Sequence, residues 1–273
     1  MVAIIVFAVA SSSACLLADF GEFTSSPDAS IADAAVDQAE ASTISDAAFT
    51  TDAFAPMIDA GGGDSFSCDG GAYLFCSTFD DGQQATGWGG IEVKAGGSLS
   101  VDSDSRSGPF ALRAQLGAMT DTPHQYARLF QTFTGTKSLR IGFDIKLTAP
   151  AWMPNDRAAE LLSVFYAGTS NETYFFRARD EMTVSQEQNG VYTTVEALPY
   201  LVWTRVAFEI VPTTPNGAMR MYYDGRIVLA LTVPFDPPAS QPTTTVYLGL
   251  GRFDPPGPPI DVRYDSVTIE EIP

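Results

Sequence analysis

From Ala72 onward, short runs of β-branched and aromatic residues alternate with Gly, Pro, Asn and Asp, the pattern of strands joined by turns. The alternation is plainest where Leu139, Ile141, Phe143, Ile145 and Leu147 are apolar and Arg140, Asp144 and Lys146 lie between them. Because successive side chains of a strand point to opposite faces, such a segment buries one face and wets the other. Strands are predicted at 73–79, 99–102, 110–116, 127–133, 139–147, 161–166, 174–179, 183–188, 191–196, 203–211, 219–223, 227–233, 245–250 and 262–271. Asn189-Gly190 and Asp224-Gly225 each stand between two alternating runs, and both residues of each pair tolerate the positive φ of a two-residue hairpin. Helical periodicity is absent outside the N-terminal third. About fourteen strands and almost no helix predict an all-β fold, a two-sheet antiparallel jelly-roll sandwich.

The N-terminal third reads differently. Residues 1–15, MVAIIVFAVASSSAC, join an apolar run to a small-residue stretch ending at Cys15, the shape of an export signal and too short to cross a bilayer as a helix. The stretch resembles a bacterial lipoprotein signal, which implies lipidation of Cys15. It departs from that pattern in having Ser12 three residues before the cysteine and no basic residue before the apolar run. An ordinary cleaved signal, or a trimmed cytoplasmic chain, are the other readings. Residues 16–67 are rich in Ala, Asp, Ser and Thr; like charges with few large apolar groups do not offset ordering entropy, so a disordered tether is expected, ending near Gly61-Gly62-Gly63. Its Asp-Ala-rich composition resembles that of secreted myxobacterial lipoproteins. A single folded domain is expected over 68–273.

Charge follows the same division. No Lys or Arg precedes Lys94, whereas fourteen of the 33 acidic residues do; the remainder carries nineteen acids against fifteen bases. A chain of net charge −18 repels phosphate backbones, so nucleic acid is not an expected partner. Membrane contact is expected only through a lipid anchor, and the domain is expected to be a monomer. With Cys15 lipidated, Cys68 and Cys76 remain as an even pair, which in an oxidising compartment closes a small disulfide loop.

The ordered segments FDDG…GW (from Phe79), SGPFALRA (from Ser107), WTRVAFEIV (from Trp203), MYYDGRIVLAL (from Met221) and RYDSVTIE (from Arg263) resemble the concanavalin A-like lectin/glucanase and laminin G-like sandwiches and jelly-roll carbohydrate-binding modules. The likeness spans nearly the whole folded part. It implies a structural calcium joining the opening and closing strands, with Asp80 or Asp81 in the first position and Asp265 in the second. Calcium takes mixed carboxylate, carbonyl and water oxygens, which such a pair could begin to supply. The other reading is a solvated DDG turn and a strand-end charge. Trp88 is expected in the core. No organic cofactor is implied.

The enzymes of that superfamily set out a test. The Glu-x-Asp-x-Glu strand of its glucanases is absent, and RAAEL at Arg157–Leu161 lacks the spacing of the Arg-x-Glu strand of alginate lyases. His124, the one histidine, lies beside a proline and is expected at a loop surface. A non-catalytic domain is therefore expected. Sugars present both C–H faces and hydroxyls, so their sites combine aromatic rings with planar polar groups. Trp152 on a Pro-flanked loop, with Asn171, Tyr174, Arg177, Arg179, Gln186, Gln188 and Tyr192 on the following hairpins, is the expected carbohydrate-binding set. Phe175, Arg177 and Arg179 should share one face, and arginines there would favour a uronic-acid or sulfated glycan. The alternatives are an Arg-rich solvent face with Trp152 capping the sandwich, a structural, protein-interaction module of the cell envelope, or a glycoside hydrolase or polysaccharide lyase whose motifs are not those named above.

Overall fold

The computed structural model describes residues 66–69, 71–118, 124–148, 159–167, 172–178, 182–186, 191–213, 216–235, 242–252 and 259–273. The leader, Cys15 and all but the last two residues of the tether lie outside them.

The described residues form fifteen strands and no helix: β1 Phe75–Ser77, β2 Gly90–Lys94, β3 Gly97–Asp102, β4 Ala111–Leu116, β5 Gln125–Thr134, β6 Leu139–Leu147, β7 Ala159–Ala167, β8 Glu172–Ala178, β9 Met182–Gln186, β10 Val191–Val195, β11 Thr204–Val211, β12 Asn216–Tyr223, β13 Arg226–Pro234, β14 Thr243–Arg252 and β15 Ile260–Glu271. Sheet A has the order β13-β12-β11-β6-β15-β4-β3, with β1 also paired to β15; sheet B has the order β10-β9-β8-β7-β14-β5-β2. Every ladder is antiparallel. Opening and closing strands lie side by side, Phe75 opposite Ile269.

The core lies between the two sheets and follows the alternation. Leu139, Ile141, Phe143, Ile145 and Leu147 of β6 lie in one buried cluster with Leu162, Val164, Leu248 and Leu250 of sheet B. Trp88 is buried against Phe75, ring centres 4.5 Å apart. Asp224 and Gly225 both have positive φ, 46° and 80°, and close the β12–β13 hairpin as the two-residue turn demands. The Asn189-Gly190 turn lies outside the described residues, although β9 and β10 pair as its hairpin requires. Cys68 and Cys76 form a disulfide that fastens the chain entering β1.

Two features depart from expectation. β2 is an additional strand: at the edge of sheet B its apolar Ile91 and Val93 stay exposed, so the residues lack a buried pattern to read. Several strands also run longer than expected; β5 begins at Gln125 and β14 extends to Arg252, because each is paired over those residues by the other.

Candidate functional site on the outer face of sheet B

The two outer faces differ in chemistry. That of sheet A carries charge pairs: Arg113 with Asp261, Arg263 with Asp102, Lys146 with Asp104, and Arg140 and Arg220 with Glu209. That of sheet B carries rings. Along β5, Ala127 and Leu129 are buried, whereas Tyr126, Arg128 and Phe130 turn outward, with exposed His124 one step before Tyr126 on the same side. The Arg128 guanidinium lies 4.3 Å from the centre of the Tyr126 ring and 4.2 Å from that of Tyr247 on β14, a ring against each neighbour. His124 extends the stack beyond Tyr126, with centres 6.4 Å apart and planes within 8°, and Phe130 flanks Tyr247 at 6.0 Å.

Glycines make this packing possible. Tyr247, Gly249 and Gly251 are alternate residues of β14, and in register Gly249 stands opposite Arg128. With no side chain there, Arg128 passes over β14 and its Nη1 comes within 3.5 Å of Glu160 on β7. A Cβ on Gly249, whose φ is 132°, would sit 2.4 Å from the Ala127 carbonyl oxygen and 2.9 Å from the Arg128 Cβ; one on Gly251 would meet Glu160 Oε2 at 2.8 Å. Glu160 is 3% exposed and is shared: Arg177 of β8 approaches its other oxygen at 3.5 Å. On the opposite side Arg128 donates Nε–H to Glu92 Oε2 at 2.8 Å, and its Nη2 lies equally close.

Beneath this face the ladders slip twice, between Glu160 and Leu162 on β7 and between Leu248 and Gly251 on β14. Bulges free carbonyls from their ladders, and here both are met from the other sheet: the buried Tyr264 hydroxyl lies 3.0 Å from the Leu161 carbonyl and 3.2 Å from that of Gly249. The irregularity that re-aims Glu160 is thus anchored through the core.

Burial is the main cause that raises both phenols, Tyr126 and Tyr247, above their ordinary pKa, with Arg128 opposing it. Both remain neutral O–H groups near neutral pH. The face therefore offers ring surfaces, phenol hydroxyls and guanidinium groups already held by carboxylates.

The expected sugar set divides. Trp152, Asn171, Arg179 and Gln188 lie outside the described residues, as do the side chains of Gln186, Tyr192 and Phe175. Arg177 turns to the outer face, as expected. Tyr174 does not: it is fully buried, edge-on to Tyr166 at 5.9 Å, and is a core residue. Being three positions from Arg177, it belongs to the other face of β8. The stack on β5 and β14 was missed, although His124-x-Tyr126-x-Arg128-x-Phe130 and Tyr247-x-Gly249-x-Gly251 are legible alternations.

At the junction of opening and closing strands, Asp265 is fully buried. Its Oδ2 accepts the amides of Arg106 and Ser107 at 2.8 and 2.9 Å, and its Oδ1 accepts that of Ser266 at 2.7 Å. Burial raises its pKa against those three amides, and Asp80 nearby raises it further. Asp80 Oδ1 is buried with no hydrogen-bond partner and lies so close to Gly108 that a Cβ there would be 1.9 Å away. An orphaned carboxylate oxygen beside a second buried carboxylate fits a cation. Asp81 does not join them: it is exposed and accepts the Gln83 amide at 2.8 Å. Among the described residues no three His, Cys, Asp or Glu side chains converge, so the rest of a calcium shell would come from carbonyls and water.

No protein-family model and no curated protein sequence matches the chain. Solved structures do resemble its fold. They include an endo-β-1,4-glucuronan lyase from the fungus Trichoderma reesei (TM-score 0.55, 14% identity, 73% of this chain and 96% of that one). The cellulose-induced protein Cip1 is similar (TM-score 0.57, 14% identity, 72% and 97%), as is the catalytic domain of a glycoside hydrolase family 131 protein from Coprinopsis cinerea (TM-score 0.51, 16% identity, 74% and 96%). The chain is an all-β sandwich of two antiparallel sheets, sharing its fold with these proteins.

Proposed function

We propose that the protein binds a polysaccharide across the outer face of sheet B, as a non-catalytic, exported and lipid-anchored domain. The single observation that carries this reading is the stack of Tyr126, Arg128 and Tyr247, extended by His124 and Phe130. Ring faces match the C–H faces of sugars, and phenol O–H groups answer their hydroxyls. The fold is that of proteins whose names connect them with polysaccharides, which agrees with this reading. The two carboxylates described on this face, Glu92 and Glu160, are both engaged by Arg128. That disfavours hydrolysis by the glycosidase mechanism, which needs two carboxylates free to exchange protons and attack. The Cys68–Cys76 disulfide supports an oxidising compartment and hence export.

In this reading Asp80 and Asp265 would hold calcium, which would supply positive charge to a buried and a half-buried carboxylate and fasten β15 to the loops after β1 and before β4. The function is tested by affinity electrophoresis of the full chain in a panel of neutral and acidic polysaccharides. Retardation by at least one, with no new reducing ends or unsaturated sugar products on long incubation, is the expected result; product formation would assign an enzyme.

A further inference from the structure

We infer that this face selects a neutral polysaccharide and discriminates against the same chain bearing uronic-acid carboxylates. The inference rests on the carbohydrate-binding reading above and adds the ligand's class.

An arginine recognises a carboxylate by offering a free fork of N–H donors. The fork of Arg128 is not free. Its Nε and Nη2 are directed to Glu92 Oε2 at 2.8 Å, its Nη1 faces Glu160, and Tyr126 and Tyr247 lie against the guanidinium. Arg177 is likewise turned to Glu160. Both guanidinium groups of the described part of the face thus stand against carboxylates; the exposed Lys94, opposite Tyr126 at the sheet edge, adds one point charge but no planar fork to grip a carboxylate. A uronate carboxylate could take Arg128 only by displacing Glu92 or Glu160. Displacing Glu160, which is 3% exposed, would strip a buried carboxylate of one of its partners.

Long-range charge acts in the same direction. The segment beyond Lys94 has more acids than bases, and the chain as a whole stands at −18, so a polyanion is repelled during approach. What the face does offer suits uncharged sugars. Tyr126 and Tyr247 remain protonated phenols. Each can exchange hydrogen bonds with a sugar hydroxyl at no cost in charge.

The test uses the full chain and six probes: a glucan, a mannan and a galactan, each before and after oxidation of its C6 hydroxymethyl groups to carboxylates. Binding is measured by titration calorimetry at low and at physiological salt. At least one neutral chain should bind about tenfold more tightly than its oxidised partner. In Glu92→Gln, a half-exposed position whose loss frees the Arg128 fork, the oxidised partner should gain about tenfold, and the gain should fade with salt. An oxidised chain that binds wild type as tightly as its neutral parent, or a Glu92→Gln protein without the gain, overturns the inference while leaving carbohydrate binding intact. Failure of all six chains to bind removes both.

Discussion

Arg128 Nη1 lies 3.5 Å from Glu160 Oε2 although the two residues occupy strands that do not pair, β5 and β7, with β14 between them. The contact exists because β14 presents Gly249 and Gly251 where side chains would otherwise stand. Gly249→Ala combines a φ of 132° with a Cβ 2.4 Å from a backbone oxygen of β5. It should destabilise the fold by about 2 kcal/mol or more, since neither backbone can yield without breaking the ladder. Urea denaturation checks this. Gly251→Ala meets only the end of the Glu160 side chain, at 2.8 Å, and should cost less stability while displacing that carboxylate.

Tyr264→Phe removes the one hydroxyl that reaches the carbonyls of Leu161 and Gly249 from the opposite sheet. Leaving two buried acceptors without it should cost about 1–3 kcal/mol. A fall in melting temperature of a few degrees is the expected reading, with weakened polysaccharide binding because the bulges that aim Glu160 lose their anchor.

The calcium proposal separates in a melt. Chelation should lower the melting temperature of the wild type and leave Asp80→Ala unchanged, since that variant lacks the orphaned carboxylate. Identical curves with and without chelator in the wild type would remove the metal.

Two groups of acids respond to pH with opposite signs. Burial is the largest cause raising Asp265 and Asp144, so their folded-state pKa values lie above the unfolded ones. Each therefore binds its proton more readily in the folded state, and its contribution to stability grows as pH falls through the folded pKa. Asp102 and Asp261 are also pushed up by burial, but hydrogen bonds and charge outweigh it, from the Asp104 amide and Arg263 for Asp102 and from Arg113 for Asp261. Their stabilisation is present above the ordinary Asp pKa and is lost as pH falls through their depressed folded values. In urea melts from about pH 7 to about pH 4.5, wild type should gain stability relative to Asp265→Asn as pH falls. The stability difference from Asp261→Asn should stay flat over that range and shrink only below it. Chelator is present throughout, so that no cation complicates the comparison.

Strand content and pairing at the ends of the sandwich were legible because they rest on local periodicity. Leu139–Leu147 has the same bounds in sequence and structure, and Asp224-Gly225 turns as its residue types require. The outer face of sheet B was legible only in pieces. Arg177 turns to that face as its alternation predicts, but Tyr174 was grouped with it by closeness in sequence, whereas strand parity sends Tyr174 into the core. The stack escaped notice because Arg128 and Tyr247 are distant in sequence and meet only through the β5–β14 register. Glu160 reads as an ordinary acid until the slip in β7 and the glycines of β14 place it between two arginines.

The central claim is that the rings on the outer face of sheet B hold a polysaccharide. Tyr247→Ala is its most direct test, because the ring is half-buried on that face and its loss leaves the core between the sheets intact. With the polysaccharide that retards the wild type most, binding measured by titration calorimetry should weaken about tenfold or more in Tyr247→Ala at unchanged fold, a loss of about 1.4 kcal/mol. Wild-type affinity in a folded Tyr247→Ala protein would contradict the account.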